Sequence, residues 1–100
     1  MNENYRIGKD NLHIVFPSKE ILNAYVMCVG CSNCNYHVEK NILCLFAYKK
    51  ENLLHAVLNF KIYTWFLLNV LKSISNTNVV PIQELCRILD NVEIELERSL

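Results

Sequence analysis

Glycine is nearly absent from this chain: Gly8 and Gly30 are the only two among 100 residues. A phosphate-cradling loop needs several glycines whose backbone amides face the ligand, so nucleotide hydrolysis is excluded. An oxyanion pocket is equally short of loop material, which leaves Cys34 and His37 as an isolated pair rather than part of a triad. Net charge is missing too. Ten Lys and Arg balance ten Asp and Glu, and the only adjacent basic pair is Lys49–Lys50. A nucleic-acid reader carries a basic stripe, so no nucleic-acid partner is expected. The opening MNENYRIGKD lacks the apolar run of a secretory signal, and no lipidation motif opens or closes the chain. Five cysteines cannot all pair with one another. The expected setting is therefore a reducing one, cytoplasmic or nuclear, where thiols stay free or bind metal.

What the chain does have is apolar residues, 52% of the total, enough for one core. The periodicity predicts a single all-α domain, a small bundle of about four helices with a short extended N-terminal segment. Residues 1–11 read as a polar N-terminus and 12–100 as the helical domain. Asn11–Pro17 alternates Leu12, Ile14 and Phe16 against His13, an extended segment that Pro17 terminates. Ser18 is placed as an N-cap, with Glu20 in the first turn of a helix through KEILNAYVMC. A second helical run is expected from Val38 through EKNILCLFAYKK.

The dominant element spans Glu51–Ile74. Leu53, Val57, Phe60, Leu67, Leu71 and Ile74 follow helical spacing, and Leu54, Leu58, Ile62, Trp65 and Leu68 widen the stripe. Such a helix belongs in a core or in a membrane. His55, Asn59, Lys61 and Asn69 interrupt it, and a central Lys costs about 2.5–3.5 kcal/mol on insertion scales, which favours the core. Pro81 opens the last helix, whose Ile82, Leu85, Ile88, Leu89, Val92 and Leu96 form one clean stripe.

The segment CVGCSNCNYH places Cys28, Cys31, Cys34 and His37 at three-residue steps. These are the ligand types and number of a tetrahedral zinc site. On a continuous helix each step would drift about 60° around the axis and carry Cys28 and His37 to opposite faces. The zinc reading therefore requires a break, for which Gly30, Ser32, Asn33 and Asn35 are suited. Cys44 or Cys86 could supply a ligand from a second segment; the competing reading is cysteine as a small buried apolar residue. A ferredoxin-type cluster would want its fourth cysteine where Val38 stands.

Cys31–Ser32–Asn33–Cys34 followed by His37 spells C-x-x-C-x-x-H, which resembles the small all-helical FAD-dependent sulfhydryl oxidases. The resemblance implies Cys31 and Cys34 as a redox pair passing electrons to FAD. His55–Asn59, HAVLN, is similar to the helix that contacts the flavin in that family, with Ala56 where the family has asparagine and Gly30 where it has proline. Ile14–Asn23 and HAVLNF are similar in pieces, with a one-residue offset, to the small terminase subunit of herpesviruses, which implies only a helical assembly role.

The expectation drawn from all this is a non-enzymatic helical interaction subunit of a larger assembly, with a protein partner or a second copy. Its Asn-, Ile- and Lys-rich composition is of the kind seen in AT-rich viral genomes. The aromatic set Phe60, Tyr63, Trp65, Phe66 and Leu67 is the expected partner-binding face, because aromatics dominate interface energetics. Zinc at Cys28–His37 is the expected organising metal. The alternatives are the FAD-linked dithiol and membrane association through 51–74.

Overall fold

A computed structural model describes residues 4–29, 35–74 and 78–100, with the backbone alone at 27–29. Seven elements follow in order: β1 (Tyr5–Ile7), β2 (Asn11–Val15), α1 (Lys19–Val29), β3 (Asn35–Glu39), β4 (Ile42–Phe46), α2 (Lys50–Lys72) and α3 (Val80–Arg98). The strands form one antiparallel sheet in the order β1-β2-β4-β3. The expected all-α bundle of about four helices is thus corrected to an α+β fold, a four-stranded sheet with three helices.

The error lies in the run from Val38 through EKNILCLFAYKK, read as a second helix; Asn35–Glu39 and Ile42–Phe46 instead fold as a hairpin. Glu39 pairs with Ile42 around Lys40 and Asn41, and Lys40 takes a left-handed φ of 56° that suits a tight two-residue turn. β4 lies between β2 and β3, so Leu43, Cys44 and Leu45 are all buried. ILCLF is a continuous apolar run, and a short run of that kind has no period that separates strand from helix. Asn41 locks the turn: its side-chain amide donates to the Phe16 carbonyl at 2.9 Å, and its own carbonyl accepts from the Phe16 amide at 2.8 Å.

The extended reading of Asn11–Pro17 corresponds to β2, whose Leu12 and Ile14 are fully buried. β1 adds an edge strand in the segment read as polar N-terminus, and its Tyr5 hydroxyl donates to Glu95 Oε1 of α3 at 2.5 Å. Ser18 Oγ accepts the Ile21 amide at 3.1 Å, a cap on an otherwise orphaned N–H. Ser18→Ala is expected to cost about 1 kcal/mol in urea unfolding; an unchanged midpoint would show that the cap contributes nothing. All six members of the α3 stripe are buried. With Leu12, Ile14, Leu43 and Leu45 of the sheet and Leu53, Val57 and Phe60 of α2, five of them form one core, Ile82 being buried outside that cluster.

Candidate interaction surface

α2 has two apolar sides that do different things. Toward the core it buries Leu53, Ala56, Val57, Phe60, Thr64 and Leu68. Phe60 stacks within an aromatic row: Tyr25 lies edge-on to Phe16 and to Tyr63, each with ring centroids 5.3 Å apart, and tilted against Phe60 at 6.0 Å. The Phe60 carbonyl accepts the Thr64 hydroxyl at 2.6 Å and the Tyr25 hydroxyl at 3.5 Å, so both buried hydroxyls find a partner. Lys61, on the flank, bridges Asp90 at 2.8 Å and Glu93, both on α3. Those two hydrogen-bonded carboxylates, Asp90 first, hold the Lys61 ammonium above its usual pKa.

The opposite side of α2 is bare. Ile62 is 69% exposed, Trp65 55%, Phe66 66%, Val70 40% and Ile74 51%. Two residues advance a helix by about 200°, which is why Phe60 enters the core while Ile62 leaves it. Of the expected partner-binding set, Trp65 and Phe66 stand on this exposed side. Tyr63 and Leu67 are half-buried and packed against the core, and Phe60 is inside it at 2% exposure. Ile62, Val70 and Ile74 were not in that set. Their signal is present in the sequence as a second stripe, Leu58, Ile62, Phe66, Val70 and Ile74, at four-residue steps. By length and composition α2 is apolar enough to cross a membrane, yet its inner side is part of the core.

Of the cysteine–histidine window, the side chain of Cys28 and all of Cys31 and Cys34 fall outside the described residues, so the zinc set and the dithiol pair lie there too. His37 is described, and it stands exposed on β3 rather than on a turn. It pairs with Cys44, which pairs on its other side with His13, forming a row across the sheet face that alternates with the core-facing residues. Arg6 Nη2 approaches His13 Nδ1 at 3.3 Å at the end of that row. Among the described residues no group of three His, Cys, Asp or Glu side chains is placed to hold a metal ion. The resemblance to the all-helical oxidases does not extend to the fold, since a four-stranded sheet contributes Tyr5, Leu12, Ile14, Leu43 and Leu45 to this core.

Burial pushes the thiols of Cys44 and Cys86 up, and nearby carboxylates (Glu39 and Asp90) add to it. Burial also raises the Tyr25 phenol far above its usual value. With Lys61, all four groups bind their proton more tightly when folded. The stability they lend is complete below their unfolded pKa values and is lost as pH rises through the folded ones. The window opens at the ordinary thiol value of 9.0 and extends through those of Tyr25 and Lys61, 10.0 and 10.5. The urea midpoint should therefore hold between pH 7 and 8 and fall from about pH 9 upward. A midpoint flat to pH 11 would contradict these placements.

Compared with family models, curated proteins and solved structures, the chain matches none of them.

Proposed function

We propose that the protein is an interaction subunit that docks a protein through the outer side of α2. The observation that carries this reading is the exposed apolar stripe of Ile62, Trp65, Phe66 and Val70 on a helix whose other side is already built into the core, with exposed Ile74 just past its end. A contiguous patch of large apolar side chains on a folded domain marks a surface that meets something. Tryptophan and other aromatics are the residues that carry most of the energy when it does. Lipid is the weaker candidate. The neighbouring α3 carries five carboxylates against two guanidiniums, and anionic headgroups attract basic rather than acidic surroundings.

The test is native mass spectrometry of the chain purified from its own cells, beside a Phe66→Ser, Ile62→Ser double variant. The wild type should run in a complex of fixed stoichiometry, and the double variant should run as a folded monomer. Identical monomeric spectra for both would refute the reading.

A further inference from the structure

We infer that the occupant of the α2 surface is a second copy of this chain, packed as an antiparallel α2–α2 pair about a two-fold axis on the outer side of the helix, level with position 64. The inference rests on the docking reading above and names its partner. It comes from the row along the middle of the outer side, His55, Leu58, Asn59, Ile62, Phe66, Asn69, Val70 and Ser73, in which Leu58 is half-buried and which the exposed Trp65 and Lys72 flank on one edge.

That order is close to a palindrome. An antiparallel pair centred on position 64 sets Ile62 against Phe66 of the other copy and Leu58 against Val70. It also sets Asn59 against Asn69, and His55 against Ser73. Apolar meets apolar at the two inner apolar steps, amide meets amide at Asn59 and Asn69, and an imidazole meets a hydroxyl at the outermost step. In an isologous interface each such match occurs twice, so self-complementarity is the property a two-fold dimer requires. A helix surface evolved for an unrelated partner has no reason to read the same in both directions.

Charge and area agree. None of those eight residues is an Asp, Glu, Lys or Arg, and Lys61 beside them is held by Asp90 and Glu93 of its own chain. Two copies can therefore approach without burying an unpaired charge. The amides of Asn59 and Asn69 can donate and accept across the pair, fixing register as a lone buried polar residue does in a coiled coil. The stripe from Leu58 to Val70 runs about 18 Å along the helix. Its aromatic and aliphatic side chains expose on the order of 500 Å² per copy, judged from the size of such side chains. Two copies then bury about 1,000 Å², the lower bound for a specific interface, which points to a reversible dimer of modest affinity.

Charge variants at one matched pair test both the partner and the register. Ile62→Lys alone should abolish the dimer in sedimentation equilibrium, raising the association midpoint more than about 10-fold. Phe66→Glu alone should do the same, each variant keeping the wild-type circular dichroism. Combined in one chain, Ile62→Lys and Phe66→Glu face each other across the axis. The double variant should dimerise again, with an affinity that falls as salt is added. A dimer unaffected by either single variant, or a double variant no better than the singles, overturns the antiparallel pair. A wild type that stays monomeric to millimolar concentration, with Trp65 open to quencher, overturns the second copy and leaves the docking surface standing. Transfer of the wild type onto neutral lipid vesicles would overturn both.

Discussion

Phe60→Ala should lose about 3–5 kcal/mol of folding stability, whereas Phe66→Ala, six residues along the same helix, should lose within about 0.5 kcal/mol in dilute solution. The two phenylalanines differ only in the side of α2 they occupy. Phe60 is 2% exposed and packs on Tyr25; Phe66 is 66% exposed. Truncating the first leaves a cavity in a row of rings that also includes Phe16 and Tyr63, and the neighbours cannot all relax into it. Against a total stability of about 5–15 kcal/mol, such a loss leaves a marginal protein. Urea unfolding of both variants under identical conditions gives the comparison. Equal effects would mean that α2 is buried on both sides, or on neither.

The second large effect is at the clasp between α2 and α3. Lys61→Glu should cost about 2–3 kcal/mol, less than the full price of breaking a buried pair because the site is partly solvated. Reversing the charge sets three carboxylates side by side, and two of the positions are shielded: the Lys61 and Glu93 side chains are 23% and 21% exposed, with Asp90 at 50%. Adding Glu93→Lys to Lys61→Glu restores one cation among two carboxylates and should recover more than half of the loss. A neutral Lys61→Glu would mean that the two helices do not meet along this edge.

These effects also mark what could be read without a structure. The α3 stripe and the Ser18 cap are local signals, each set by residues within a turn or two, and both stand where the sequence places them. The β3–β4 hairpin is not local in that sense. ILCLF becomes a strand because β2 and β3 are there to pair with it on either edge, and neither partner is visible within the run. α2 misleads for a related reason. A helix apolar nearly all round gives little to separate core from surface, and its contacts with α3 and α1 decide. Thr64 adds to the difficulty: a hydroxyl on the inner side breaks the apolar stripe, yet bonding to the Phe60 carbonyl lets it be fully buried. The aromatic density at 60–66 was legible from composition; its division into a core half and an exposed half required the angle of each residue around the axis.

The central claim is that α2 keeps one apolar side free for a partner, and the chain carries its own reporter for it. Trp65 is the only tryptophan and sits on that side. Its emission spectrum and its quenching by iodide, recorded from nanomolar to millimolar protein, test the claim directly. The structure predicts a water-like, readily quenched tryptophan at low concentration that shifts to the blue and becomes protected as the chain associates. A tryptophan already blue-shifted and protected in the dilute monomer would contradict it.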